Sequence, residues 1–385
     1  FQFFAGEALR LQGERVPSVR PGVDIEVTRE PVGVVGVITP WNFPIAIPSW
    51  KIAPALCYGN CVVFKPADLV PGSAHALAEI IVRAGVPKGV FNLVMGRGSV
   101  VGETLLNHKD VTAVTFTGSV ATGRKVAGAI TARMGKFQLE MGGKNPLVVL
   151  DDADLKIAVE CATNGAFFST GQRCTASSRL IVEQPVLHDF TERLLERTAA
   201  LRLGDGLDAG VDVGPVINET QLRRIDSYTD VGRGEGATLA LGGAVARDGA
   251  LAEGWFYTPT VFTDVTPAMR IAQEEIFGPT TVVMPVRSLD DALAAANSTQ
   301  YGLSLSVYTN DLRTAFRAIN ELHSGIVYVN APTIGAEIQL PFGGTRNTGN
   351  GHREAGGHAL DEFSEWKSIY VDYSGRLQRA QIDTE

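Results

Sequence analysis

A cysteine in a polar loop is the first candidate for chemistry. The segment S-T-G-Q-R-C-T places Cys174 directly after Arg173. A neighbouring cation and nearby backbone amides can lower the pKa of a thiol and make it nucleophilic. A lone cysteine is more often a small buried hydrophobe, which is how we interpret Cys161 in the helical stretch VECATNGAFF. Taken alone, the Cys174 loop is compatible with either role.

Two further polar residues follow apolar runs. Glu140 ends the run in Q-L-E-M-G-G-K-N-P and precedes two glycines, so it is either a solvated strand end or a positioned general base. Asn42 in W-N-F-P offers a side-chain amide at a strand terminus, where it could hold an oxyanion. Separately, each of these assignments stays open.

Two glycine patterns are candidates for contacting a dinucleotide. The segment MGRGSVVG, whose first glycine is Gly96, resembles the dinucleotide fingerprint. However, its third glycine comes one residue late, and no acidic residue follows at the expected distance. FTGSVATG places Gly118 and Ser119 between a predicted strand and a helix, where backbone amides could hold a pyrophosphate. It is not a P-loop, because Gly123 is followed by Arg-Lys.

Short apolar runs alternate with helical stretches and must position these residues. We predict strands at 31–39, 61–65, 91–94, 111–116 and 137–139. Ser73 is expected to cap the helix between the second and third of these strands. Such alternation predicts a parallel, doubly wound sheet. A second α/β segment begins near Pro146, and the final run WKSIYVDYS is a strand that needs a partner, which another subunit could supply.

Composition limits the classes of function. The length of 385 residues argues for two domains. The net charge of −8 argues against nucleic acid or a membrane surface as a partner. No apolar run reaches the roughly 18 residues of a spanning helix. Four cysteines form no disulfide framework or zinc pattern, so we expect a cytoplasmic protein without metal. The start lacks Met and has the pattern of a helix interior, so we expect a truncated N-terminus.

Seven motifs together resemble the aldehyde dehydrogenase superfamily, in that family's order, from about Gly33 to the C-terminus. They are TPWNFP, VVFKPAD, FTGS, LEMGGKNP, GQRCT, EEIFGP and PFGG. The resemblance implies an α/β fold with a doubly wound Rossmann-type cofactor domain, a second α/β catalytic domain and a small oligomerisation element. We expect the cofactor domain at 1–140 with an oligomerisation hairpin at about 16–28, the catalytic domain at 141–350, and a C-terminal return with an oligomerisation strand at 351–385.

The resemblance also assigns roles to the chemical candidates. It implies that Cys174 is the nucleophile, Glu140 the general base, and the Asn42 amide an oxyanion donor beside the backbone N–H of Cys174. A thiolate would add to an aldehyde, the adduct would eject hydride to NAD or NADP, and the thioester left behind would be hydrolysed by water that Glu140 activates. The active site is expected between the two domains of the chain. The chain is expected to form a homodimer or homotetramer.

Cofactor contacts follow from the same resemblance. They are expected at Trp41, Lys65, Asp68, Gly118, Ser119, Glu275 and Phe277. Lys65 is similar to the family's adenosine-ribose contact, and Asp68 stands where glutamate often prefers the 2′-hydroxyl of NAD. Because aspartate is shorter and leaves space, the choice between NAD and NADP stays open.

The substrate class rests on fewer residues. Arg173 and the loop NAPTIGAEIQLPFGG are similar to semialdehyde dehydrogenases, and FNLVMGRGSVVG resembles those that act on α-ketoglutarate semialdehyde. Arg173 could pair with a substrate carboxylate, or it could only brace the cysteine loop or tune the thiol. The alternatives to an acid-forming enzyme are a coenzyme A-acylating dehydrogenase and a non-enzymatic relative of the fold. A thiol hydrolase lacks a histidine motif beside Cys174.

Overall fold

The computed structural model describes residues 1–377, which form two compact units by their internal contacts. The first unit contains Phe1–Phe116, Val126–Phe137 and the chain from Glu354 onward. The second unit contains Thr117–Lys125 and Gln138–Arg353. The predicted domain limits near residues 140 and 350 remain predictions, and each unit is described by itself below.

The first unit is built around a five-stranded sheet with the order β5-β4-β3-β6-β7. Its strands are β3 (Val34–Ile38), β4 (Cys61–Lys65), β5 (Phe91–Leu93), β6 (Val111–Thr117) and β7 (Lys136–Glu140). The last three residues of β7, including Glu140, are counted with the second unit by their internal contacts. The pairings of β3 with β4, β3 with β6 and β4 with β5 are parallel. From β3 the chain builds outward to β5 and then returns to the other side at β6. This reversal is the switch point at which doubly wound sheets bind ligands.

Helices α2 (Ala46–Cys57) and α3 (Pro71–Arg83) connect β3, β4 and β5. The prediction that Ser73 caps α3 is wrong. Ser73 lies inside the helix, because Pro71, whose fixed φ suits the first helical position, starts the helix after Val70. The core of this unit consists of apolar side chains from the strands, both helices and the chain return, among them Val35, Val37, Ile52, Val62, Phe64, Leu77 and Phe363.

A three-stranded antiparallel sheet in the first unit has the order β1-β2-β15. Its strands are β1 (Glu14–Pro17), β2 (Val23–Pro31) and β15 (Ser364–Asp372). β1 and β2 form the predicted hairpin. The terminal strand has a partner in its own chain, because β15 pairs with β2 along nine residues. β15 is the outer strand of this sheet, and its role in oligomerisation stays a prediction.

The second unit contains a seven-stranded sheet with the order β10-β11-β12-β9-β8-β13-β14. Its strands are β8 (Asn145–Val149), β9 (Ser177–Glu183), β10 (Thr238–Leu241), β11 (Thr260–Thr263), β12 (Thr280–Val286), β13 (Ser304–Tyr308) and β14 (Ile326–Val329). All pairings are parallel except that of β10 with β11. Two buried apolar clusters pack around the central strands. One includes Val148 and Ile181, and the other includes Leu147 and Leu180.

The remaining helices flank these sheets. They are α1 (Gln2–Ala8), α4 (Glu103–Asn107), α5 (Val120–Thr131), α6 (Leu155–Phe167), α7 (Gln184–Ala199), α8 (Glu219–Gly234), α9 (Arg270–Gln273), α10 (Leu289–Asn297) and α11 (Leu312–Glu321). In the part of the chain that the structure describes, none of these helices has the length and apolar character needed to cross a bilayer. Two sheets with helices between their parallel strands confirm the predicted α/β class.

Candidate active site

Cys174 lies on a sharp turn between α6 and β9 of the second unit. Three residues in a row before it have a positive φ, namely Ser169 at 53°, Thr170 at 58° and Gly171 at 63°. A Cβ on Gly171 would lie 2.0 Å from the carbonyl oxygen of Gly278, so only glycine fits there. The turn leaves Cys174 half-buried.

Glu140 is the last residue of β7 and is almost completely buried, with 2% of its surface exposed. This burial excludes the solvated strand end that the sequence left open. Gln138 donates from Nε2 to Oε1 of Glu140 at 3.0 Å, and the Gly118 N–H donates to the Glu140 carbonyl at 3.0 Å. A Cβ on Gly343, in the PFGG motif, would lie 2.5 Å from the same Oε1. Gln138 therefore orients the carboxylate, which lies close to the backbone of Gly343.

Glu275 lies against the two glycines that follow Glu140. The Gly143 N–H donates to Oε1 of Glu275 at 3.0 Å, and a Cβ on Gly142 would lie 2.1 Å from its Oε2. Burial raises the pKa of Glu275 to about 7, opposed by the Gly143 hydrogen bond and by the charges of Arg224 and Lys144. The carboxyl group can thus change its charge near neutral pH.

Phe277 has a φ of 60°, which is rare for an aromatic residue. The side chain of Gln221 donates to the Phe277 carbonyl at 2.9 Å and to the Ile276 carbonyl at 3.1 Å, and so helps to hold this conformation. A small cavity of about 20 Å³ is lined by Phe277 together with Glu275 and Arg173. The second unit therefore brings three of the predicted site residues to one place.

Arg173 is partly buried beside the nucleophile. Its Nη2 donates to Oγ of Ser169 at 2.8 Å, and its Nε is buried without a hydrogen-bond partner among residues 1–377. Burial lowers the pKa of Arg173, and interaction with Cys174, when that thiol is ionised, opposes the shift. One end of the guanidinium thus braces the turn at Ser169, in line with the second of the two roles left open for it.

Lys144, which was not among the predicted site residues, lies between Gly143 and β8 and is 1% exposed. Burial lowers the pKa of Lys144 to about 7; the charge of Arg179 acts in the same direction, while Glu275 and Glu274 oppose it. Lys144 and Glu275 both line the small cavity. The motif GGKNP contains this lysine, but nothing in the sequence indicates that the side chain is buried.

Lys144 gives a prediction about stability and pH. Since its pKa falls from an ordinary value of 10.5 to about 7 on folding, the unfolded chain binds more protons than the folded one between these values, and stability should rise with pH in that window. Urea unfolding at pH 7 and pH 9 should show a rise in the parent that Lys144→Met reduces. Substitution of the exposed Lys156 by Met should leave the rise intact. An unchanged rise in Lys144→Met would contradict the assignment.

Four predicted site residues belong to the first unit. Lys65 is the last residue of β4 and is 5% exposed; burial lowers its pKa, and the charge of nearby Asp68 opposes this. Trp41 and Asn42 follow the end of β3 and are half-buried. All four therefore lie at or just after the carboxyl ends of β3 and β4, the strand ends at which parallel sheets bind ligands.

Gly118 and Ser119 follow β6 and lead into α5, as predicted. Ser119 accepts at Oγ from the Thr122 N–H at 3.4 Å, as a serine at the start of a helix does. The competing glycine pattern forms a short π-helical turn, Gly98–Gly102, that runs into α4. Within residues 1–377, no group of three or more His, Cys, Asp or Glu side chains is arranged to hold a metal ion.

Comparison with known proteins agrees with this architecture. The sequence model of the aldehyde dehydrogenase family matches residues 1–369. Alpha-ketoglutaric semialdehyde dehydrogenase of Bacillus subtilis is 46% identical over 370 residues, which are 96% of this chain and 76% of that protein. Betaine aldehyde dehydrogenase of Bacillus subtilis is 41% identical over 96% of this chain and 75% of that protein. The crystal structure of betaine aldehyde dehydrogenase from Staphylococcus aureus with NAD+ is 39% identical, with a TM-score of 0.95 over 97% of this chain and 74% of that one.

Proposed function

The chain belongs to the aldehyde dehydrogenase family, and we propose that it oxidises an aldehyde carrying a second carboxylate, such as α-ketoglutarate semialdehyde, to the acid with NAD. The observation that carries the proposal is the half-buried Cys174 on its constrained turn, in the same unit as the buried Glu140. Relatives named for α-ketoglutarate semialdehyde or 2,5-dioxopentanoate, at 41–46% identity, support this substrate class.

In the proposed reaction, the Cys174 thiolate adds to the aldehyde carbon. The resulting alkoxide is stabilised by the backbone N–H of Cys174 and the side-chain amide of Asn42. Loss of hydride from the same carbon oxidises the adduct to a thioester on Sγ. Glu140 then takes a proton from water as the water attacks, the C–S bond breaks, and the acid leaves with the thiolate restored.

The residues present fit a nicotinamide dinucleotide. The buried ammonium of Lys65 at the end of β4 suits a ribose hydroxyl, and the start of the twelve-residue helix α5 at Gly118 and Ser119 suits a pyrophosphate. Glu275, when ionised, can accept from the hydroxyls of the other ribose. We assign Asp68 to the adenosine ribose and Trp41 and Phe277 to the walls of the cofactor site. When bound, NAD supplies the acceptor for the hydride.

Betaine aldehyde dehydrogenases also match this chain, so a cationic aldehyde is the second candidate substrate. Arg173, half-buried beside Cys174, disfavours it because two positive charges would share a partly desolvated site. Glu140 disfavours a coenzyme A-acylating enzyme, since acyl transfer to a thiol does not need a base that activates water. Homodimer or homotetramer formation and a cytoplasmic location stay predictions.

The substrate proposal is tested with a panel of aldehydes and an Arg173 variant. We expect α-ketoglutarate semialdehyde to be oxidised with a higher kcat/KM than betaine aldehyde or a neutral aldehyde of similar length. Arg173→Ala should raise KM for the semialdehyde acid about tenfold or more, because a lost charged hydrogen bond is worth that much, while KM for the neutral aldehyde changes little.

Arg173→Lys is the control, since it keeps the charge but not the planar fork. It should recover part of the affinity for the acid. Equal losses of kcat/KM on acidic and neutral aldehydes in Arg173→Ala would show that the guanidinium only braces the turn through Ser169. A preference of the parent enzyme for betaine aldehyde would overturn the substrate class while leaving the chemistry at Cys174 in place.

A further inference from the structure

Asn145, the first residue of β8, is 2% exposed and reaches the backbone of the Cys174 turn. Its Nδ2 donates to the carbonyl of Cys174 at 2.7 Å and to the carbonyl of Ala176 at 2.9 Å. Its Oδ1 accepts from the Ser304 N–H at 3.2 Å. Carbonyls can only accept and a backbone N–H can only donate, so these partners fix which way the amide points.

Thr333, which is completely buried, reaches the carbonyl of Thr175, which lies between the carbonyls of Cys174 and Ala176 in the sequence. Its hydroxyl donates to the Thr175 carbonyl at 2.7 Å. Oγ of Thr333 is also 2.8 Å from Oγ of Ser177. Because a threonine hydroxyl has one proton, which Thr175 receives, Ser177 must be the donor in that second contact. Three successive carbonyls, 174 to 176, are therefore each held by a buried side chain.

Fixing these carbonyls also fixes the backbone N–H groups. A trans peptide is planar, so the N–H of each residue points opposite to the carbonyl of the residue before it. The Arg173 carbonyl accepts from the Ala176 N–H at 3.2 Å, which sets the direction of the Cys174 N–H. The held carbonyls of Cys174 and Thr175 set the next two N–H groups. Every peptide plane from Arg173 to Ser177 thus has a defined orientation.

We propose that Asn145 and Thr333 are positioning residues for the nucleophile: they hold the carbonyls of residues 174 to 176 and thereby aim the thiol. Because the held Thr175 carbonyl orients the Ala176 N–H, which donates to the Arg173 carbonyl, they also orient the backbone N–H of Cys174. This inference rests on the proposed function of Cys174. Transition-state stabilisation by a backbone N–H depends on donors already oriented toward the developing charge. Thr333 also lies in the segment after β14 that resembles semialdehyde dehydrogenases, so it links that segment to the nucleophile by one buried hydroxyl.

The chain offers a matched control for this idea. Thr281 is also completely buried, and its hydroxyl donates to the carbonyl of Ser177 at 3.0 Å. Thr281→Val therefore removes the same kind of bond as Thr333→Val, from threonine to a backbone carbonyl, but from the first residue of β9 rather than from the turn. Both variants leave a buried carbonyl without this donor, so both should lose some stability toward urea.

The test compares Thr333→Val, Thr333→Ser and Thr281→Val in the full chain. Three quantities are measured: kcat and KM with one aldehyde, the rate at which iodoacetamide alkylates Cys174 from pH 6 to 9, and the urea midpoint. Thr333→Val should lower kcat about tenfold to a hundredfold, as a small misplacement of a reacting group does, with a smaller change in KM. It should also slow alkylation of Cys174. Thr333→Ser should restore both, and Thr281→Val should change neither.

Asn145→Ala removes two donors and should have the larger effect on kcat and alkylation. If this variant does not fold, the Thr333 pair decides the question. Losses of rate in Thr333→Val and Thr281→Val that are equal and follow their losses of stability would overturn the inference, and so would an unchanged kcat and alkylation rate in Thr333→Val. Full turnover in Cys174→Ala would instead overturn the proposed function, whatever the Thr333 variants do.

Discussion

Cys174→Ala should abolish aldehyde oxidation, lowering kcat by at least about 10⁴-fold, because removal of a covalent nucleophile leaves only binding and oxyanion stabilisation. The thiol is half-buried on a turn with three successive positive φ values, and alanine keeps the backbone and most of the packing. The urea midpoint should therefore change little. The absorbance of the NADH formed checks the rate, and titration of NAD binding checks that the cofactor is still held.

Cys161→Ala is the matched control for that variant. Cys161 is a second half-buried thiol of the same unit, on α6. Its replacement should leave kcat within about twofold of the parent, since surface and helix substitutions away from the reacting groups act mainly on stability. Full turnover by Cys174→Ala, or equal losses in the two variants, would mean that the thiol of residue 174 is not the nucleophile.

Glu140→Gln should separate the two halves of the reaction. Formation of the thioester needs no base at this position, whereas its hydrolysis does, so the first turnover should still release NADH in a burst. The steady-state kcat should then fall about 10²- to 10⁴-fold, the usual contribution of a general base. The burst amplitude should approach one NADH per active site. Stopped-flow measurement of NADH formation resolves the two phases.

Glu183→Gln provides a control with similar placement. Glu183 likewise is the last residue of its strand, β9, and accepts from the Asp151 N–H at 2.8 Å. Its substitution should give neither a burst nor a loss of steady-state rate. If Glu140→Gln lost the burst together with the steady rate, Glu140 would be required before the thioester forms, and its assignment as the base for hydrolysis would be wrong.

Much of the scaffold could be predicted because local sequence decides it. The strand predicted at 61–65 is β4 residue for residue, since a buried parallel strand is a continuous apolar run. The strand predicted at 31–39 was too long. The extended backbone conformation is interrupted at Gly33, where φ is 114°, so Pro31 ends β2 and Val34 begins β3. Alternating apolar residues alone do not reveal a glycine that has left the extended conformation.

The supports of the site could not be predicted, because they depend on contacts distant in sequence. Asn145 contacts a carbonyl 29 residues away, and Thr333 contacts one 158 residues away. The burial of Lys144 beside Glu275 likewise depends on how β8 packs in the complete sheet. The motifs GGKNP and EEIFGP contained both residues, and family resemblance assigned a role to Glu275 only.

The proposed reaction passes through a thioester at one sulfur atom, and the mass of the intact protein reveals whether that thioester forms. Glu140→Gln is mixed with α-ketoglutarate semialdehyde and NAD, quenched in acid and analysed whole and after digestion. We expect a species heavier than the protein by one acyl group, located on the peptide that contains Cys174 and removed by hydroxylamine. A burst of NADH with no acyl adduct, or with the adduct on another residue, would contradict it.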